Sequence, residues 1–363
     1  LNHSNVAVRV EAINNIVKFR REELLSLIRT LSTHLELPQQ EACAFALGQF
    51  KDEISLSILK TLSSSKAANV KLAALYALYL LDKKESQYPI IKAASEGNSF
   101  AIALLGHIPE TENALYLLTL NENLNTRLNA TISLLEHHDS RCVKTLYEIL
   151  IKDSRDLAFI PTSTPGKSLQ SFRVIPSATQ NLKNTPILLE LSLKMREEAL
   201  VKAADLNEDV FLQIAETIFS REQNDLVPLT IRLLENLQTE KSIQLLKTFS
   251  QKVGAPLIRN YCNLALYRME EPGPYFENLK NWILFQQHTA LISFRPFVPL
   301  SYRSGLTNYQ MTPEETSRLL IESFESFLQV HDDRGISVLI NTIQNGNKNN
   351  KFILAGLLMR ATL

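Results

Sequence analysis

Three short runs in this chain hold residue types that perform chemistry in other settings. Gly166-Lys167-Ser168 has the tail of a phosphate-binding loop, in which backbone N–H groups wrap a phosphate and the lysine neutralises it. The full motif needs a further glycine at position 161, between a strand and a helix. Pro161 stands there, in Pro-rich sequence, so a chance Gly-Lys-Ser in a loop is the better reading. His137-His138-Asp139 and His331-Asp332-Asp333 offer imidazole and carboxylate, a donor set that suits zinc or iron. Adjacent residues point in different directions, however, and no His or Glu at helical spacing supports them, so both runs read as polar turns. Cys43, Cys142 and Cys262 lie far apart on apolar patterns with no Cys-x-x-Cys spacing, which suits reduced, buried thiols. No catalytic constellation, metal set or cofactor motif emerges, and the chain reads as non-enzymatic.

What remains is chemistry by position. Arg29, Lys60, Lys92, Lys247 and Lys280 occupy one place in a recurring helical segment, with Thr119 and Tyr147 taking it in intervening units. Beside them stand Ser26, Ser57, Tyr116 and Lys144. If that place lies on one face, the bases form a discontinuous ladder able to hold an acidic peptide. Each exposed charge contributes only about 0.2–1 kcal/mol, so several must act together with apolar anchors. Lysine is also simply the expected residue on a wet helix face, and that plainer reading stands beside the first. Phe172, Arg173, Phe294 and Arg295 lie in irregular segments; aromatics and arginine there serve as interface anchors or pin those segments to the helices.

The elements that would position these residues repeat. Leu25-Ser26-Leu27-Ile28-Arg29-Thr30-Leu31 returns as Leu56-Ser57-Ile58-Leu59-Lys60-Thr61-Leu62 and as Ile243-Gln244-Leu245-Leu246-Lys247-Thr248-Phe249. Ahead of these segments, Ala12, Ala44, Ala74, Ile102 and Ala130 recur at spacings of 32, 30, 28 and 28. Small residues there let two helices approach closely. Val8-Arg9, Val70-Lys71 and Thr126-Arg127 each follow an asparagine, Asn5, Asn69 or Asn125, which predicts a helix N-cap at each. Second helices are expected from about Glu22, Glu53, Ser86, Glu112 and Ser140.

This pattern, Asn-x-x-Val-Arg-x-x-Ala followed by a second amphipathic helix, resembles the HEAT repeat, particularly the short variety also found in bilin lyases. The resemblance covers residues 1–152, and Ile258-Arg259-Asn260-Tyr261-Cys262 repeats the theme once more. Glu41 and Ser99 depart from it, replacing the basic residue. It implies an all-α fold, a right-handed α-solenoid of helical hairpins with two irregular or β-type insertions, acting as a scaffold that binds another protein on its concave face and insertions. A lyase-like enzyme and a nucleic-acid-binding solenoid are the alternatives the family offers.

Two stretches interrupt the rhythm. Residues 153–185 are rich in Ser, Thr and Pro, and Leu169-Gln170-Ser171-Phe172-Arg173-Val174-Ile175 reads as a strand. Residues 287–311 form a second break, where Leu291-Ile292-Ser293-Phe294-Arg295 echoes the first, so the two could pair into a small sheet. Helices are expected to resume at Thr185-Pro186 and at Thr312-Pro313-Glu314-Glu315, the latter with a capping-box glutamate. The expected organisation is therefore helical repeats over 1–152, an insertion over 153–185, repeats over 186–286, a second insertion over 287–311 and C-terminal helices over 312–363.

Composition fits this. Of 363 residues, 45% are hydrophobic and only 10 are glycine, which favours helices over glycine-rich hairpins. Lys+Arg number 38 and Asp+Glu 38, so the molecule lacks the net field that draws a protein to nucleic acid, and none is expected as a partner. The apolar run from Phe352 to Met359 is too short for a membrane span, which needs about 18 residues or more. The reduced cysteines point to the cytoplasm. The chain opens on Leu1, so it is expected to be a fragment of a longer protein.

Overall fold

A computed structural model describes residues 1–151, 157–162, 171–176, 186–293 and 311–361. Those residues form nineteen α-helices and one two-stranded sheet, and the chain divides into two compact units, 1–152 with 156–179, and 153–155 with 180–363.

The first unit contains α1 (Val6–Lys18), α2 (Leu25–Leu31), α3 (Leu37–Gln49), α4 (Leu56–Leu62), α5 (Ala68–Leu80), α6 (Gln87–Ser95), α7 (Ser99–Leu105), α8 (Glu112–Thr119), α9 (Leu124–Leu135) and α10 (Val143–Leu150). Helices α1, α3, α5, α7 and α9 pack each on the next, and α2, α4, α6 and α8 pack against α3, α5, α7 and α9. The small residues make this possible. Ala44, Ala74, Ile102 and Ala130 are fully buried, and Gly48 of α3 approaches α5 so closely that a Cβ there would lie 2.6 Å from the Ala77 Cα. Second helices begin near their expected starts, four of them through a 3-10 turn at Glu22–Leu24, Glu53–Ser55, Lys84–Ser86 and Ser140–Cys142.

Between the first and second helix of each pair the chain passes through a left-handed residue: Arg20, Lys51, Asp82, Glu110 and His138, at spacings of 31, 31, 28 and 28. At four of these the following N–H returns to the preceding helix, as in Asp52 N–H to Leu47 O at 3.0 Å, satisfying a carbonyl the helix end leaves open.

Two of the three expected caps are corrected. Asn5 does cap α1, its side chain accepting from the Ala7 N–H. Asn69 and Asn125 instead lie inside α5 and α9, whose N-caps are Ala67 and Asn123. An asparagine can cap only from an extended backbone, and both residues are already helical. The amide of Asn69 bonds the Glu41 carboxyl of α3 instead.

The first insertion contains a hairpin of β1 (Leu157–Pro161) and β2 (Phe172–Pro176), paired antiparallel with Phe159 opposite Val174. The expected strand is present, shifted toward its C-terminal end. Its partner is β1 rather than the second break. Residues 291–293 carry no strand, while Phe294, Arg295, Thr185 and Gly166-Lys167-Ser168 lie outside the described residues.

The second unit contains α11 (Pro186–Ala203), α12 (Glu208–Ser220), α13 (Val227–Leu237), α14 (Glu240–Ser250), α15 (Pro256–Arg268), α16 (Tyr275–Gln286), α17 (Pro313–Gln329), α18 (Asp333–Asn345) and α19 (Lys351–Ala361). Here α11, α13, α15, α17 and α19 pack in series, as do α12 with α14 and α16 with α18. Helix α17 opens on the expected capping box, with Thr312 and Glu315 exchanging side-chain and backbone bonds at 2.9 and 3.1 Å. Among the described residues no helix is long and apolar enough to cross a membrane.

Candidate functional site

The five aligned bases meet different fates. Arg29, in the last turn of α2, donates through Nε and Nη2 to the two Asp52 oxygens, each at 2.7 Å, and Asp52 is almost fully buried. Burial raises the Asp52 pKa, but bonds from Arg29 and Ser55 outweigh it and hold the carboxyl below its ordinary value. Lys247, in the last turn of α14, meets Glu271 at 2.7 Å. The two contacts are the same device. In each, the acid directly follows a left-handed residue, Lys51 or Glu270, that closes the next helix.

The device explains which bases lack a partner. Opposite Lys60 the acid's place after Asp82 is taken by Lys83, and opposite Lys92 the place after Glu110 is Thr111. The Thr111 hydroxyl is committed to the Leu105 and Ile108 carbonyls at 2.7 Å. Lys60 and Lys92 are accordingly exposed and make no ion pair among the described residues. Lys280 meets Glu277 at 3.2 Å, one turn back on its own helix. Ser26 is exposed on α2. Phe172 is buried on the hairpin and Arg173 exposed beside it.

The other sequence candidates are occupied locally. His137 Nε2 lies 2.9 Å from the Leu105 carbonyl and Nδ1 3.2 Å from Glu112. Asp139 and Asp332 each cap the element that follows and bind Arg141 and Arg334. Burial pushes the thiols of Cys43 and Cys142 up to about 12, and that of Cys262 further, so none has thiolate character at neutral pH.

The arrangement with the most chemistry was not singled out by sequence. In the second unit α11, α13 and α17 enclose a groove of about 520 Å³ lined by Lys194, Glu197, Glu198, Val201, Lys202, Pro228, Leu229, Arg232 and Arg318. Lys194, Glu197, Glu198, Val201 and Lys202 recur at helical spacing, so α11 presents them as one stripe. Behind the groove a single carboxylate, Glu322, serves three guanidinium groups: Arg318 at 3.0 Å, Arg268 at 3.7 Å and Arg232 at 3.8 Å. Tyr261 adds its hydroxyl at 3.3 Å. Glu235 pairs with Arg268 at 3.4 Å and leaves its buried Oε1 without a hydrogen bond.

Arg232 is the loosest of the three. Its side chain is 59% exposed, the Glu322 carboxylate it faces lies beyond hydrogen-bond range at 3.8 Å, and it makes no hydrogen bond among the described residues. Burial raises the pKa of Glu197, against the pull of Arg318, and raises that of Glu235, against Arg268 and Arg232. The groove lining holds four basic side chains, Lys194, Lys202, Arg232 and Arg318, and two acidic ones, Glu197 and Glu198. No protein-family model matches the chain, and no curated protein matches it.

Proposed function

We propose that this chain is a non-enzymatic, right-handed α-solenoid of HEAT-like helical hairpins that holds another protein through an acidic segment. The observation that carries the reading is the groove on α11, α13 and α17, whose lining combines four cations and two carboxylates with the apolar Val201, Pro228 and Leu229. A guanidinium offers five donors in a planar fork, and Arg232 has them unfilled among the described residues. A carboxylate of the incoming segment takes that fork, while its aliphatic stem and neighbours cover the apolar lining. Contacts of this mixed kind give affinity that scattered surface charges do not.

The solenoid part of the proposal is supported by the serial packing of the odd-numbered helices and by the regular recurrence of left-handed connections in the first unit. Lys60 and Lys92, exposed in the first unit, add weaker contacts to acidic stretches of the same partner. The buried thiols fit a reducing compartment, the cytoplasm.

The test uses the full chain and a fluorescein-labelled peptide rich in Asp and Glu, with its Asn/Gln counterpart as control. Arg232→Glu combined with Lys202→Glu should weaken binding of the acidic peptide by about tenfold or more and leave the control unchanged. Equal anisotropy titrations for wild type and variant would remove the groove reading.

A further inference from the structure

The hairpin of the first unit is held on α9 by side chains that read only main chain. Asn129 donates from Nδ2 to the Phe172 carbonyl at 2.7 Å and accepts the Phe172 N–H at Oδ1 at 2.8 Å. One turn earlier, Asn125 accepts the Val174 N–H at 2.5 Å. Phe172 and Val174 are two residues apart, so their backbone groups lie on the same edge of β2. The spacings agree. Four helical residues rise about 6 Å, and two strand residues about 6.6 Å. Helix α9 thus acts toward β2 as an additional strand, with β1 on the opposite edge.

These asparagines are not required by the helix. By the register of the buried Ala44, Ala74 and Ala130, the place of Asn129 is taken by Cys43 in α3 and Ala73 in α5, both buried and apolar. The place of Asn125 is taken by Gln39 and Asn69, which bond Arg9 and Glu41 of the preceding helix. Among the described residues, only on α9 does this pair of positions hold an extended segment. Asn129 is 3% exposed with β2 in place, and its Nδ2 also donates to the Asn125 carbonyl at 2.8 Å, so its own helix orients the amide that holds Phe172. The side chains of the occupant matter at alternate positions: Phe172 and Val174 are buried, and Arg173 between them is exposed. A two-stranded hairpin is itself marginally stable, and the sequence on either side of β2 is rich in Ser, Thr and Pro.

We propose that the face of α9 carrying Asn125 and Asn129 is a receptor for an extended peptide segment of a partner protein, recognised through its backbone and through apolar side chains two residues apart, and that β2 is its intramolecular occupant. The partner strand competes with β2 for the same three hydrogen bonds. This rests on different residues from the groove of the second unit, and either reading can fail alone.

The experiment uses the full chain with residues 171–176 replaced by a Gly/Ser segment of equal length, and a labelled hexapeptide Ser-Phe-Arg-Val-Ile-Pro. The replaced chain should bind the peptide saturably. Wild type should bind it at least about tenfold more weakly, because tethered β2 competes at a millimolar effective concentration. Methylating the peptide's valine nitrogen should cost about tenfold or more, as should Asn129→Ala in the receptor, whereas alanine in place of the peptide's arginine should change affinity less than about twofold. Should the replaced chain fail to fold, Phe172→Glu expels β2 from an otherwise intact chain and the same peptide series decides. Folded receptor that ignores the peptide, or that binds the N-methylated peptide equally well, overturns the proposal.

Discussion

Glu41 stands in α3 at a place where the expected repeat pattern has a base, and burial brings its titration into the neutral range. Burial raises its pKa from 4.5 to about 7, and the bond from Asn69 only partly opposes this. The sign follows from linkage. A carboxyl whose folded pKa is raised binds its proton more tightly when folded, so its contribution is fully present below about pH 4.5 and is lost as pH rises to about 7. Across that window the loss is at most about 3 kcal/mol. Glu41→Gln keeps the amide contact and removes the titration. We expect the variant to match wild type in urea unfolding near pH 4.5 and to exceed it by about 1–3 kcal/mol at pH 8. A constant difference at the two pH values would mean that Glu41 is ionised in the folded chain.

At the scale of elements, two neighbouring positions in α3 and its exit should respond in opposite directions. A Cβ on Gly48 would sit 2.6 Å from Ala77 Cα and 2.7 Å from its Cβ, backbone and stub that cannot rotate away. Gly48→Ala should therefore cost about 1–3 kcal/mol, overriding the better helix propensity of alanine. Lys51, three residues on, holds φ at 52° without being glycine. Lys51→Gly should stabilise by roughly 0.5–1 kcal/mol, since the left-handed region is free of penalty only for glycine. Chemical denaturation of both variants checks the pair, and a stabilising Gly48→Ala would mean that α3 and α5 move apart readily enough to admit a methyl group. These positions also mark how far the sequence could be read. The alternation of first and second helices was legible because Ala44, Ala74 and Ala130 recur at positions that only small residues fit. The ends of the first helices were less so, since none of Arg20, Lys51, Asp82, Glu110 and His138 in the left-handed turns is the usual glycine. Asn125 reads as a cap because a cap and a strand clamp use the same amide, and only the helix register separates them. Strand β1 gave no signal, because Leu-Ala-Phe-Ile-Pro has no alternation. The groove could not be found by spacing at all: Lys194, Arg232 and Arg318 come from three helices distant in sequence, and periodicity reaches only along one helix.

For the molecule as a whole, serial packing has a consequence for how damage spreads. In a stack where each helix pair touches only its neighbours, a defect weakens the pairs beside it and fades with distance along the array. Leu47 in the first unit and Leu264 in the second are both fully buried, so truncating either to alanine should remove about 2–5 kcal/mol. Hydrogen exchange should place each loss differently. Leu47→Ala should lower protection through α1, α3 and α5 and leave α13, α15 and α17 unchanged, and Leu264→Ala should do the reverse. The groove on α11, α13 and α17 lies wholly in the second unit, so any affinity it shows for the acidic peptide should persist in Leu47→Ala under conditions where the first unit has begun to open. Loss of protection throughout the chain from either single change would mean that the helices unfold as one cooperative block, and the stacked-repeat reading would fall with it.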